Sequence, residues 1–282
     1  MHLWMFLLLL LLRGGQRPAV AGYDFTRPTT TYAVPKGLSE FSGHTWAGAQ
    51  QLVGVEDEEG ELYFYNLRTQ QLDSIVHFAG NGDYEDVTRL PDGWLVLRSD
   101  GQVFKRTAHA TQAFATGLTA ANEPEGLCYD PVTGTLLVAC KGAPGAGLPA
   151  TQRAIYQLDL RTYRAAARPA YVLDAAAVLA RSPGAVRPGQ SAAKAQQPSR
   201  FAPSAVAVHP RTHHVWVLSA RGNDLVELDA QGQLLSVRTL DAALFPQPEG
   251  LAFAPSGDLF ISSEAGSNGG LARLYRFVEH PQ

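Results

Sequence analysis

Short apolar segments separated by polar turns make up most of this chain. The apolar segments are rich in Val, Leu, Ile, Tyr and Phe, and the turns contain Asp-Gly, Gln-Gly or Ser-Gly pairs. Glycine accepts the positive φ angles of tight hairpin turns, so the pattern indicates short antiparallel strands and an all-β protein. Only Ala175 to Arg181 is predicted to form one or two helical turns. The predicted strands include residues 52–55, 62–67, 94–97, 136–139, 215–218 and 259–261.

A short motif recurs five times, each time directly before an apolar segment. Its central residues are Ser42, Glu85, Glu125, Ser204 and Glu249. Three of the four spacings are 43, 40 and 45 residues, and a period of roughly 40 residues is typical of a β-propeller, in which each repeat is one small sheet. The spacing of 79 residues between Glu125 and Ser204 is explained by two insertions, at residues 142–152 and 175–200. We therefore predict five blades, with six as the alternative.

The final repeat needs a strand from elsewhere in the chain. Residues 248–278 have room for three strands, and an open sheet edge is a liability because it can pair with other chains. The β-prone residues 29–34 precede the first repeat and have no other assignment. We predict that they form the outer strand of the last blade and close the ring of blades.

Equivalent positions in a propeller lie around one axis, so the five recurring residues are predicted to form an inner ring at one mouth of the central channel. This inner ring combines three carboxylates with two hydroxyls. Such a set suits Ca²⁺, which takes about six to eight oxygen ligands in loose geometry. No histidine or cysteine occupies a ring position, which disfavours Zn²⁺ and redox metals. In the alternative, the carboxylates accept backbone N–H bonds or bind ordered water.

A second set of polar residues is predicted to surround the inner ring. In a propeller, the loop between the second and third strands of a blade lies on the face where the inner strand begins. The candidate ligand-binding residues on these loops, called the collar below, are Asp57, Arg98, Lys141, Arg221 and Glu264. A concave mouth with convergent polar groups is the default binding site of such a fold.

The first 21 residues are typical of a secretory signal peptide. An apolar core over residues 3–12 precedes Ala19-Val20-Ala21, a cleavage pattern of small residues. Because Arg13 and Arg17 follow the apolar core instead of preceding it, an uncleaved anchor is the alternative. Residues 22–282 are predicted to form a single propeller domain, with a basic insertion rich in Ala, Pro and Gln at residues 175–200.

Charge and cysteine positions narrow the possible functions. A formal net charge of -3 offers no general attraction to nucleic acid. In the hairpin between Cys128 and Cys140, Cys128 is predicted to face Leu137, roughly 10 Å from Cys140, which is too far for a disulfide. Two separate buried thiols are therefore predicted. The sequence contains no Gly-x-Ser-x-Gly motif and no phosphate-binding glycine loop.

Several phrases of the sequence also point to a known family. They include Gly82-Asp83-Tyr84-Glu85-Asp86-Val87, Glu125-Gly126-Leu127-Cys128-Tyr129-Asp130, Pro203-Ser204-Ala205-Val206 and Gln247-Pro248-Glu249-Gly250-Leu251. Over residues 30–278 the chain resembles the SdiA-regulated β-propeller family, which includes exported, calcium-responsive bacterial proteins. The resemblance implies a propeller, an envelope location with inner-membrane association, and a link to calcium through the inner ring. His44 stands where the family usually has an apolar residue, and Ala205 where it usually has glycine.

Two functional hypotheses follow from the inner ring. The first is an exported, non-enzymatic module, periplasmic or extracellular, that binds Ca²⁺ and engages an unidentified small molecule or envelope protein on the same face. The second is a metal-dependent hydrolase of a lactone or phosphoester, with one glutamate as general base and Arg98 or Lys141 holding the anion. A purely structural scaffold is a third hypothesis. We expect a monomer with peripheral membrane association and no nucleic-acid partner.

Overall fold

Five four-stranded antiparallel sheets, arranged as the blades of a β-propeller, make up the described part of the chain. The structure is a computed structural model, and it describes residues 22–35, 38, 41–182, 197–264 and 272–280. The prediction of an all-β, five-bladed propeller is confirmed, and the alternative of six blades is wrong. The predicted signal peptide, residues 1–21, lies outside the described residues, as do residues 183–196 of the insertion.

The first three blades follow one another along the chain. One strand, β1 (Thr30–Ala33), precedes the first blade in sequence. The first blade contains β2 (Gly43–Gly48), β3 (Gln51–Val55), β4 (Glu61–Asn66) and β5 (Gln71–His77). The second contains β6 (Tyr84–Leu90), β7 (Gly93–Arg98), β8 (Gln102–Arg106) and β9 (Thr111–Ala115). The third contains β10 (Pro124–Asp130), β11 (Thr135–Cys140), β12 (Gln152–Leu158) and β13 (Tyr171–Asp174).

The last two blades follow the insertion. The fourth contains β14 (Pro203–Val208), β15 (Val215–Ser219), β16 (Asp224–Leu228) and β17 (Leu234–Thr239). The fifth contains β18 (Gln247–Phe253), β19 (Leu259–Glu264) and β20 (Arg273–Phe277), and its outer strand is β1. β1 pairs with β20 in antiparallel register, with Thr30 opposite Arg276 and Ala33 opposite Arg273. The predicted closure of the ring by an N-terminal strand is confirmed.

The hydrophobic core lies between the blades as five clusters, one for each neighbouring pair. The strand β11 shows why both faces of a blade are apolar. Its Leu136 and Val138 side chains pack against the second blade, whereas Leu137 and Ala139 pack against the fourth. Because successive side chains of a strand point to opposite faces, a continuous apolar run is what this sandwiched position requires.

The predicted helical turns are present as α1 (Ala175–Arg181). The Asp174 side chain caps this helix by accepting a hydrogen bond from the Ala177 backbone N–H (3.0 Å). Val178 and Leu179 are buried in the cluster between the third and fourth blades. Because its helix packs against the propeller, the described start of the insertion is part of the fold.

The two cysteines are separate thiols, as predicted. Cys128 faces Leu137 in the register of β10 and β11, also as predicted. Cys140 is fully buried between the second and third blades, but Cys128 is only half-buried, so the prediction of two buried thiols was wrong for Cys128. The reason is its place near the end of an inner strand, where its side chain lines an open cavity. In the described part of the chain, no helix is long and apolar enough to cross a membrane.

Candidate functional site

The inner-ring residues lie where the inner strands begin, and four of them sit in β-bulges. The register between inner and second strands shifts around Glu85, Glu125, Ser204 and Glu249. A bulge leaves a residue out of the ladder and turns its side chain in a new direction, which is why bulges recur beside binding sites. Ser42, the fifth member, directly precedes β2. The local backbone therefore turns the same position of each blade toward the channel.

All five inner-ring residues line one cavity of about 530 Å³ at this mouth of the channel, called the acidic mouth below. Three of the five collar residues, Asp57, Lys141 and Glu264, line the same cavity. The remaining lining residues are Asp83, Ser99, Ala120, Glu123 and Gln247. The structure thus brings together eight of the ten residues predicted from the sequence.

Two collar residues lie elsewhere. The Arg98 guanidinium pairs with the Asp100 carboxylate (2.7 Å) and lies over the Phe104 ring, 5.0 Å from its centroid. These contacts hold it outside the acidic mouth, because a neighbouring acid on the same turn satisfies its charge locally. Arg221 lines an adjoining cavity of about 280 Å³, which shares Lys141, Ser204 and two further residues with the acidic mouth.

Three further polar residues of the mouth, Asp83, Glu123 and Gln247, were not predicted, although a signal for them exists. Each lies two residues before an inner-ring glutamate. A residue that precedes a ring position by two lies at or just before the start of the inner strand, and it is therefore at the same end of the channel as the ring. A search of the five motifs for polar residues at that position would have found all three.

Lys141 provides the positive charge at the acidic mouth. Its Nζ lies 2.5 Å from Glu125 Oε1, and its backbone N–H donates to the Glu123 carbonyl (2.8 Å). Burial by itself lowers the pKa of Lys141, but the attraction of Glu125, with smaller contributions from Glu85 and Glu249, raises it overall. The ammonium is therefore held charged against three inner-ring glutamates.

The inner-ring glutamates hold protons more tightly than ordinary carboxyl groups do. Burial, together with the charges of Glu264 and Glu125, raises the pKa of Glu249 to about 8. Burial also raises the pKa of Glu85, and the Glu125 carboxylate adds to that shift. Burial likewise raises the pKa of Glu125, although the Lys141 ammonium partly lowers it. Raised pKa values are the expected response of buried, converging carboxylates that lack enough positive charge.

The acidic mouth carries a large excess of acidic groups. Among the described residues that line it, seven have carboxyl groups and one has an ammonium group. The seven are Asp57, Asp83, Glu85, Glu123, Glu125, Glu249 and Glu264. The Oδ1 atom of Asp57 is buried and has no hydrogen-bond partner among the described residues. Nevertheless, the described side chains include no group of three His, Cys, Asp or Glu residues close enough to hold a metal ion as they stand.

Solved structures of other proteins share this fold. The chain is similar to the glutaminyl cyclase of Myxococcus xanthus, with 15% sequence identity and a TM-score of 0.60 over 90% of this chain and 95% of that one. It is also similar to the PQQ-bound aldose sugar dehydrogenase of Streptomyces coelicolor, with 12% identity and a TM-score of 0.54 over 93% and 99% of the two chains. At these identities the likeness shows the fold alone. No curated protein matches the chain in sequence.

The fold and the cavity define a β-propeller protein with an acidic channel mouth. More particularly, the chain belongs to the SdiA-regulated family, because the sequence model of that family matches residues 30–268. The family resemblance seen in the sequence is thereby confirmed. The match covers all five inner-ring residues and all five collar residues.

Proposed function

We propose that this protein is a ligand-binding module that takes up Ca²⁺ at the acidic mouth. The observation that carries the proposal is the seven-to-one excess of carboxyl groups over ammonium groups among the described lining residues. The carboxylates, the Ser42 and Ser204 hydroxyls and the Gln247 amide are all oxygen donors of the kind Ca²⁺ takes. The unpartnered Oδ1 atom of Asp57 fits the same role, because a buried carboxylate oxygen without a partner is costly.

Calcium uptake requires a rearrangement of the site. The Lys141 ammonium is bonded to Glu125, which it would have to release before that carboxylate could bind a metal ion. The protons held by Glu85 and Glu249 would also have to leave, since a carboxylate binds a metal in its charged form. Lys141 therefore acts as an internal competitor for the cation site, and its movement exposes Glu125 to the ligand.

Calorimetric titration with Ca²⁺ tests this proposal. We expect saturable binding that Glu125→Gln weakens by about tenfold or more, since one charged ligand is lost. Millimolar Ca²⁺ should also raise the melting temperature by linkage. Because binding displaces protons, this stabilisation should grow from pH 5 to pH 8.

The matched control is Glu58→Gln, which removes an exposed carboxylate outside the cavity. We expect this variant to bind Ca²⁺ as the wild type does. Absence of both heat and thermal shift at millimolar Ca²⁺ would show that the mouth is not a calcium site. Loss of binding in Glu58→Gln alone would place the ion at the acidic turn of residues 56–59 and would equally contradict the proposal.

A second candidate function is hydrolysis of a lactone or phosphoester at the same mouth. The observation in its favour is the raised pKa of Glu249, about 8, which keeps a general acid protonated at neutral pH. Arg98 takes no part in this version, because it lies outside the cavity, and Lys141 would hold the anionic group. A panel of lactones and phosphoesters with Ca²⁺, Mg²⁺ or Mn²⁺ tests it. Turnover that Glu249→Gln abolishes would favour the enzyme over the binding module.

The setting of the protein belongs to the same proposal. We propose an exported monomer, periplasmic or extracellular, that meets a small molecule or an envelope protein at the acidic mouth and associates peripherally with the inner membrane. The supporting observations are the signal-like residues 1–21 and the membership of the family. Fractionation of the producing cells, with detection of the mature N-terminus, would contradict export if the protein stayed in the cytoplasm with residues 1–21 attached.

A further inference from the structure

The opposite end of the central channel holds a second cavity of about 610 Å³, called the apolar cavity below. It is formed where the five inner strands end, at residues such as Trp46, Leu90, Tyr129 and Phe253. Of the described residues that line it, none also lines the acidic mouth. The two cavities are therefore separate sites, and binding at one can be measured without the other.

The level between the two cavities is tightly packed. A methyl group added at Gly126 would lie 2.6 Å from the Val206 backbone nitrogen, and one added at Gly43 would overlap Asp86. Neighbouring inner strands approach this closely only because glycine has no Cβ atom. The inner strands of neighbouring blades are therefore in close contact at the level between the apolar cavity and the acidic mouth.

The lining of the apolar cavity differs from that of the acidic mouth. Aromatic rings from three blades, those of Trp46, Tyr129 and Phe253, face it together with aliphatic side chains such as Leu127 and Leu251. Four prolines, at the turns that follow the inner strands, complete its wall. They are Pro91, Pro131, Pro210 and Pro255. Because the proline ring restricts the backbone, this wall is preformed, and a preformed apolar hollow of several hundred Å³ is typical of small-molecule sites.

The charged groups of the apolar cavity are already engaged. The Asp130 carboxylate accepts from the Val132 backbone N–H (2.9 Å) and the Thr133 hydroxyl (2.7 Å). The Arg89 guanidinium donates to the Ala47 carbonyl and lies over the Trp94 ring. Neither group needs a charged ligand.

We propose that the apolar cavity binds an uncharged small molecule with a flat or branched apolar body. The aromatic and aliphatic lining would remove that body from water, which is the main source of affinity for such ligands. The engaged charges disfavour an ionic ligand, because burying an ion beside groups that offer it no pairing is costly. A protein partner is disfavoured by shape, since a segment would have to enter a concave space walled by rigid turns.

Titration with the uncharged fluorescent probe N-phenyl-1-naphthylamine tests this proposal on the full chain. We expect a saturable rise in fluorescence with a dissociation constant in the micromolar range. Val208→Trp and Thr45→Trp place a large ring in the cavity from two different blades, at side chains that are half-buried there. Each should weaken binding by about tenfold or more, because it fills the space that the probe occupies.

Two controls make the result specific. Ile75→Trp adds the same ring at a side chain that is 50% exposed on the outer strand β5, and it should leave probe binding unchanged. Glu125→Gln should also leave it unchanged, so this proposal and the calcium proposal can fail separately. Melting curves identify any variant that does not fold, and two cavity variants keep the test valid if one fails.

Three outcomes would overturn the proposal. One is a lack of saturable binding by the wild type, which would mean that another part of the chain or a second copy covers the cavity. Another is unchanged binding in folded Val208→Trp and Thr45→Trp. The last is a loss of probe binding in Ile75→Trp equal to that in the cavity variants, which would show that the probe binds to the outer surface.

Discussion

The two ends of the central channel are built from the same five strands and have opposite chemistry. Where the strands begin, bulges turn three glutamates and Ser204 toward the axis, and seven carboxyl groups line the cavity among the described residues. Where they end, aromatic and aliphatic side chains line the cavity. A difference of a few residues along each strand separates the proposed cation site from the proposed site for apolar molecules.

The contrast between the ends shows how a propeller separates function from folding. The clusters between the blades stabilise the fold and face neither cavity with most of their side chains. Because residues at the strand ends carry little of this packing, they can take on charge or aromatic character. Substitutions and changes of solvent can show whether the two ends are as independent as this arrangement implies.

A substitution at the packed level between the cavities should change the free energy of unfolding the most. Gly126→Ala should lower the free energy of unfolding by about 3 kcal/mol, because its methyl group would lie 2.6 Å from a backbone atom that cannot move freely. Urea unfolding measures the change. The control is Gly80→Ala, where an added methyl group meets nothing within 4 Å and should cost less than about 0.5 kcal/mol. Similar costs in the two variants would contradict close packing of the inner strands at this level.

The acidic mouth should depend strongly on its ammonium group. Lys141→Met should lower the free energy of unfolding by about 2 kcal/mol at pH 8, because the buried Glu125 carboxylate loses its partner. The same variant should bind Ca²⁺ more tightly, since the internal competitor is gone. Lys105→Met, which breaks an exposed pair with Asp92, should change the stability by less than about 1 kcal/mol. Weaker calcium binding in Lys141→Met would show that the lysine helps to bind Ca²⁺ and does not compete with it.

Stability at the acidic mouth should fall as the pH rises. The folded pKa of Glu249, about 8, exceeds its ordinary value of 4.5, so the folded state binds the proton more tightly than the unfolded state. The resulting stabilisation is complete below about pH 4.5 and is lost as the pH rises toward 8. Without Ca²⁺, the wild type should lose at least about 1 kcal/mol more stability than Glu249→Gln between pH 5 and pH 8. Parallel stability curves for the two proteins would contradict the raised pKa.

Added salt should have the smallest effect of these changes, and it should act on the acidic mouth more than on the apolar cavity. Raising KCl to about 0.5 M should reduce the stabilisation by Ca²⁺, because ions screen the charges of an open mouth. Binding of the uncharged probe to the apolar cavity should change by less than about twofold, since burial of apolar surface is not screened. If calcium stabilisation and probe binding were equally sensitive to KCl, the probe would be binding at the acidic mouth or the two ends would be coupled.

Much of the fold could be predicted from local patterns in the sequence. The spacing of the five motifs, the turn glycines and the β-prone residues 29–34 were enough for five blades closed by an N-terminal strand. Each of these features depends on residues close together in sequence or on a repeat that recurs at a constant interval. The convergence of the inner ring followed from the same repetition, because symmetry places equivalent residues around one axis.

The tertiary structure decided which side chains meet. Arg98 was expected at the mouth, but the nearby Asp100 holds its guanidinium elsewhere, and such rotamer choices leave no periodic signal. The pairing of Lys141 with Glu125 joins residues 16 apart through the register of a bulged hairpin. The apolar cavity was missed altogether, because its residues are ordinary strand-end apolar residues in each blade taken singly. The cavity exists only when five strand ends are placed around an axis. Sequence patterns predict which residues end each strand, but they do not predict the space enclosed between the strands.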